Sequence, residues 1–242
     1  MSDPALPNKP RTVILISGRG SNMLRLVQAA QEGRCHIDPV AAISNRPQAQ
    51  GLAAAEKLGL DTQRLDHTQF DSREQFDDAL AEVIDAYQPD LIILAGFMRI
   101  LTEAFVARYE GRMLNIHPSL LPLYPGLNTH QRALDAGDTE HGATVHFVTA
   151  TLDSGPLIVQ SEVPIESNDS SDTLAQRVLD TEYPIYTLAA DWFGRGWVSM
   201  QAGKVTLFEQ TLLSPIKYRN GQLYGADAPC LEKLNLSLAP QS

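Results

Sequence analysis

Thr12-Val-Ile-Leu-Ile-Ser17 runs straight into Gly18-Arg-Gly-Ser-Asn22, after which Met23, Leu24, Leu26, Val27 and Ala30 recur at helical spacing until Gly33. The opening run is continuously apolar, which suits a central parallel strand buried on both faces better than a strand with one wet side. Glycines then allow a tight turn, and Ser21 or Asn22 is available to cap the helix that follows. Strand, glycine loop and helix in direct succession form one unit of a doubly wound α/β sheet.

The alternation continues outward from this unit. Val40-Ala-Ala-Ile-Ser44 and Leu91-Ile-Ile-Leu-Ala95 read as further buried strands, with helical patterns at 49–58 and 74–87 beside them. Met113-Leu-Asn-Ile-His117 reads as another strand, stopped by Pro118. Residues 143–148 and 157–163 look like a pair separated by the turn Asp153-Ser-Gly-Pro156, so the later sheet is expected to be mixed or antiparallel. Residues 172–188 read as a helix that Pro184 should kink or end. Residues 1–10 carry three prolines and read as a loose lead-in, residues 11–197 as the main domain, and residues 198–242 as a tail with possible hairpins at Ala202-Gly203 and Asn220-Gly221.

Composition narrows the class of function. The 242 residues are 43% hydrophobic and 20% charged, enough apolar material for a packed core and too balanced for a disordered chain. With 19 Lys plus Arg against 29 Asp plus Glu the net charge is −10, which opposes a surface that coats nucleic acid. No apolar run approaches the roughly 20 residues that cross a bilayer, and no signal segment is visible, so a cytoplasmic protein without a membrane or nucleic-acid partner is expected. Cys35 and Cys230 lie far apart, and His36, His67, His130, His141 and His146 show no ligand spacing. Neither a disulfide framework nor a metal site is expected.

Two places could carry chemistry. The Gly18–Asn22 loop aims backbone N–H groups and the positive end of a helix at one focus, which favours a phosphate; a tight turn with no ligand competes with that reading. The third glycine of a dinucleotide fingerprint is replaced by Met23, and the Gly-Lys-Ser/Thr of a Walker loop is missing, so a single phosphate fits better than NAD or ATP. Asn115-Ile-His117 puts two polar side chains on one face of a strand, at the edge where open α/β sheets bind ligands. An amide donor for an oxyanion and a group that titrates near neutrality are what acyl transfer requires. Asp153 could orient His117 and favour its charged form, although an Asp before Ser-Gly-Pro is often only a turn former. Met98-Arg-Ile-Leu101 follows a buried strand and offers apolar groups and amides at the same edge, or ordinary core packing. No Gly-x-Ser-x-Gly elbow is present, so covalent catalysis is disfavoured.

Taken together, Ile16-Ser-Gly-Arg-Gly-Ser-Asn22, Leu94-Ala-Gly-Phe-Met-Arg-Ile-Leu101, Leu114-Asn-Ile-His-Pro-Ser-Leu-Leu-Pro122, Tyr124-Pro-Gly126, His141-Gly-Ala-Thr-Val-His-Phe-Val148 and Leu152-Asp-Ser-Gly-Pro156 resemble the glycinamide ribonucleotide formyltransferase family. The resemblance runs from about residue 11 to about residue 197. It implies a Rossmann-like formyltransferase fold and transfer of a formyl group from 10-formyltetrahydrofolate to the amine of glycinamide ribonucleotide in purine biosynthesis, without a metal, by a monomer or homodimer. By position, the family pattern implies that Gly20, Ser21, Asn22 and Glu182 hold the ribonucleotide, that Arg73, Met98, Arg99, Ile100, Leu101 and Asn115 hold the folate, and that Asn115, His117 and Asp153 are the catalytic trio. Arg19 stands where many relatives have Asn, and Leu123 where a basic residue is often seen.

A methionyl-tRNA formyltransferase would be expected to be basic and to continue its SLLP turn differently, and a formyltetrahydrofolate deformylase needs no phosphate cradle. A nucleotide-binding protein without turnover remains the alternative from another class.

Overall fold

The computed structural model describes residues 6–225 together with Leu231 and Leu234. The first half of the lead-in, Cys230 and nearly all of the last 17 residues lie outside the described residues. Pro7 and Pro10 do not hang free. The Pro7 carbonyl accepts from His36 Nε2 at 2.7 Å, and the Pro10 carbonyl accepts from the Asp38 N–H at 2.9 Å.

A nine-stranded sheet forms the centre. Its parallel part comprises β1 (Arg11–Ile16), β2 (Asp38–Ser44), β3 (Asp61–Arg64), β4 (Leu91–Leu94) and β5 (Met113–His117). β6 (Glu140–Phe147) and β7 (Leu157–Pro164) continue it antiparallel, as the Asp153 turn predicts. Past residue 197 the chain forms a small separate sheet from β8 (Val198–Gln201), β9 (Lys204–Leu207) and β10 (Gln210–Thr211). It then returns as β11 (Ile216–Arg219) and β12 (Gln222–Tyr224) to extend the main sheet beyond β7. The resulting order is β12-β11-β7-β6-β5-β4-β1-β2-β3. β1 and β4 therefore lie at the reversal of strand order, where loops splay apart and leave a crevice.

Strand β1 shows why both faces are covered. Ile14 and Ile16 pack with α1 (Ser21–Gln31) and α6 (Ser171–Gly194), while Val13 and Leu15 pack with α3 (Arg73–Asp85) and α4 (Glu103–Arg108). Two further helices, α2 (Gln50–Lys57) and α5 (Thr129–Ala136), complete the set.

Two sequence expectations are corrected. Neither Ser21 nor Asn22 caps α1: the cap position is Gly20, at φ 69°, and no side chain bonds the first amides. Left-handed backbone there is easy only for glycine, and the turn it makes leaves the amides of the first turn free. Of the kink or end expected at Pro184, the end does not occur: α6 runs ten residues further, to Gly194. Loss of one helical hydrogen bond and the ring clash cost about 3 kcal/mol. Burial of Leu174, Val178, Ile185, Tyr186, Ala189 and Trp192 on both sides of the proline offsets that, at about 1.5–3 kcal/mol for each large side chain.

Candidate active site

β5 carries Asn115 and His117 on one face, and the antiparallel register sets Asn115 directly opposite His146 of β6. Across that pair the Asn115 Nδ2 lies 3.1 Å from His146 Nε2. The other ring nitrogen, Nδ1, is 2.8 Å from the Phe147 carbonyl, an acceptor, so it carries the proton. Nε2 is then the acceptor, and it fixes the Asn115 amide with its NH₂ toward His146. One amide hydrogen remains free to point elsewhere.

His117 is buried between two acceptors. Its Nδ1 lies 3.5 Å from Asp153 Oδ2, and its Nε2 donates to the Tyr124 carbonyl at 2.8 Å. A carboxylate on one side and a carbonyl on the other offer each ring nitrogen an acceptor. Asp153 reaches this position from a turn in which it adopts φ 50°, and its Oδ2 also accepts the Gly126 N–H at 2.8 Å. Its Oδ1 lies 4.0 Å from His146 Nε2. The turn is held close by Gly155, where a Cβ would stand 1.8 Å from the Phe147 carbonyl oxygen. Burial pushes His130 and His146 below the ordinary histidine range and His141 down to about 4, so these neighbours stay neutral beside His117.

The glycine loop lies across the reversal point. Asn22 turns its side chain to α6, where Nδ2 donates to Glu182 Oε2 at 2.7 Å. Both residues are buried, and burial raises the Glu182 carboxyl above its ordinary value while the Asn22 bond opposes the shift. One helical turn on, the Tyr186 hydroxyl reaches the carbonyls of Leu94 and Leu114 at 2.9 and 3.0 Å, pinning α6 to the ends of β4 and β5. Glu182 is thereby set within one turn of the strand that carries Asn115.

The segment after β4 closes the third side. Ser17 accepts the Met98 N–H at 2.7 Å and donates to Asn45 Oδ1, which ties this segment to the end of β1. Arg73 opens α3, and the first turns of that helix meet the same segment: Asp77 accepts the Thr102 N–H, and the Arg99 guanidinium lies 5.2 Å above the Phe76 ring. Met98 and Ile100 are exposed, whereas the Leu101 side chain is buried in the core between the sheet and α3. Of the apolar groups expected at the ligand edge, Leu101 can therefore offer only its backbone. Among the described residues no cluster of three or more His, Cys, Asp or Glu could hold a metal ion.

Residues 10–190 match the Formyl transferase family. The chain belongs to that family. It is 48% identical to the phosphoribosylglycinamide formyltransferase of Escherichia coli, over 83% of this chain and 94% of that one. A solved phosphoribosylglycinamide formyltransferase from Coxiella burnetii superposes with a TM-score of 0.81 at 47% identity, covering 84% of this chain and 96% of that chain. The corresponding Brucella melitensis structure gives 0.74 at 49% identity, covering 81% and 99%.

The candidate site contains one residue, His146, to which local sequence assigns no role. Read locally, His146 shows only that it lacks metal-ligand spacing, because its relation to Asn115 depends on strand register; its even spacing from Thr144 along one strand is the available signal.

Proposed function

We propose that Asn115, His117 and Asp153 carry out formyl transfer, that His146 positions Asn115, that Gly20, Ser21, Asn22 and Glu182 hold the ribonucleotide, and that Arg73 with Met98–Leu101 holds the folate. The reaction is transfer of a formyl group from 10-formyltetrahydrofolate to the amine of glycinamide ribonucleotide, giving formylglycinamide ribonucleotide and tetrahydrofolate in purine biosynthesis. We set it in the cytoplasm, catalysed by a monomer or homodimer.

The observation that carries the assignment is the convergence of the Asn115 amide and the His117 ring, each fixed from behind by a buried acceptor. The nitrogen lone pair of the substrate amine attacks the formyl carbon, and the carbonyl π pair moves onto oxygen. The free Asn115 amide hydrogen and the His117 Nε2–H, taken over from the Tyr124 carbonyl, stabilise that oxyanion, while Asp153 balances the charge on His117. Collapse breaks the bond from carbon to the folate nitrogen, and one proton moves from the attacking nitrogen to the departing one. Holding both substrates at the strand reversal makes the attack effectively unimolecular. The first-turn amides of α1, which no side chain caps, suit the ribonucleotide phosphate.

Absorbance on mixing 10-formyltetrahydrofolate with the protein, with and without glycinamide ribonucleotide, tests this assignment. Turnover is expected only when the ribonucleotide is present. Formyl loss in its absence would mean that water is the acceptor, and no turnover in either case would leave a binding protein.

A further inference from the structure

A cavity of about 800 Å³ opens over the ends of β1, β2 and β3 and contains none of Asn115, His117 or Asp153. Its rim carries Arg19 from the glycine loop and Arg46 from the loop after β2, with Gln48 and Thr68 as further donors. Both arginines are exposed, and neither guanidinium has a carboxylate partner among the described residues. The one acid on the rim, Asp66, spends Oδ1 on the backbone and hydroxyl of Thr68. The local charge is therefore positive in a chain whose net charge is −10.

Two contacts join this cavity to the proposed folate segment. Ser17, on the cavity side, holds the Met98 N–H at 2.7 Å. His67, also on the cavity side, meets the edge of the Phe76 ring with centroids 6.3 Å apart, and the same ring lies under the Arg99 guanidinium. From β5 to β2 is three steps in the sheet, roughly 14 Å at ordinary strand spacing, so the cavity is beyond the reacting centre and past the first folate contacts.

We infer that this cavity takes the poly-γ-glutamyl tail of the formyl donor, with Arg19 and Arg46 pairing successive carboxylates beyond the first glutamate. The inference rests on the assignment of Arg73 and Met98–Leu101 to the folate. A chain bearing one carboxylate per residue, leaving the Arg99 end of that segment, passes the Ser17 and His67 contacts into a cavity whose two guanidinium groups have no carboxylate partner among the described residues. A flexible tail held by exposed guanidinium groups gains modest, salt-sensitive affinity and leaves the chemistry unchanged.

The test is KM for mono- and pentaglutamyl 10-formyltetrahydrofolate in the wild type and in Arg46→Gln and Gln48→Glu, with KM for glycinamide ribonucleotide measured alongside. The pentaglutamate is expected to have a KM lower by about 10-fold at low salt, the weight of two such exposed pairs. Both variants are expected to bring that ratio toward one while leaving the monoglutamate KM, kcat and ribonucleotide KM at wild-type values. A wild-type ratio of one, or a ratio the variants do not change, would overturn the tail site alone. A rise in ribonucleotide KM in the variants would also overturn it, assigning the cavity to the phosphate instead. Absence of transfer from the monoglutamate in the wild type would instead overturn the formyl-transfer assignment itself.

Discussion

Replacing His146 with Phe keeps an aromatic of similar volume and deletes both ring nitrogens. The Phe147 carbonyl loses its 2.8 Å donor in the interior, and the part-buried Asn115 amide loses its 3.1 Å acceptor. Leaving two such groups unsatisfied costs about 1–3 kcal/mol each, so a loss of roughly 2–6 kcal/mol is expected. For a chain of this size that corresponds to a fall in Tm of about 4–24 °C. The effect on catalysis is separate. A missing oxyanion donor lowers kcat by about 10²–10³, and an Asn115 that is present but free to rotate should lose part of this, about 10- to 100-fold. Neither KM should change much, because no substrate contact is removed. Steady-state kinetics below the variant's Tm, combined with Asn115→Ala and the double variant, isolates the link. The double variant should be no slower than Asn115→Ala alone, since both remove the same oriented amide. A His146→Phe enzyme that loses stability but keeps wild-type kcat, or losses that multiply in the double variant, would refute the positioning role.

Glu182→Gln should raise KM for glycinamide ribonucleotide by about 10-fold or more, the weight of one hydrogen bond to a charged group. The same change should not destabilise the protein at pH 7. Because burial raises the folded-state pKa of Glu182, the folded chain binds its proton more readily than the unfolded chain does, so ionisation costs stability as pH rises above the ordinary carboxylate range. Denaturation at pH 4 and pH 7 should find the Gln variant gaining on the wild type at the higher pH; an unchanged difference would contradict this. Gly155→Ala and Gly194→Ala each drive a Cβ to 1.8 Å from a carbonyl oxygen, of Phe147 and of His36 respectively, at a cost of about 3 kcal/mol or more. Only the first displaces the Asp153 turn. Activity per folded molecule should fall in Gly155→Ala and hold in Gly194→Ala, which circular dichroism with kinetics will separate.

The parts of the fold legible in the sequence were those in which one periodicity dominates. β4 is an unbroken apolar run, β1 is one from Val13 onward, β5 sets Asn115 and His117 among buried apolar neighbours, and α1 and α3 repeat at helical spacing. Strand β3, Asp-Thr-Gln-Arg, escaped because an edge strand with one partner and little burial needs no apolar signal. The six-residue α4 and eight-residue α5 are too short for periodicity to declare itself. At Pro184 local propensity opposes α6 while packing on both sides sustains it, and the helix runs past the expected boundary at residue 188 to Gly194.

The site divides in the same way. Asn115 and His117 could be read from strand alternation, and the glycine loop from its position between strand and helix. The Asn115–His146 pair, the reach of Asp153 to His117 over 36 positions, and the Asn22–Glu182 bond across 160 are products of register and topology. Nothing local in the chain encodes them. The resemblance to known formyltransferases supplied Glu182, and the fold supplies the reason for it.

The most direct test of the trio is single-turnover formyl transfer from 10-formyltetrahydrofolate to glycinamide ribonucleotide by Asp153→Asn, with both substrates saturating. The variant keeps an acceptor oxygen beside His117 and removes only the charge. The transfer rate is expected to fall by about 10²–10⁴-fold with substrate binding preserved. A rate within a few-fold of the wild type would contradict the claim that Asp153 and His117 act together in the transfer.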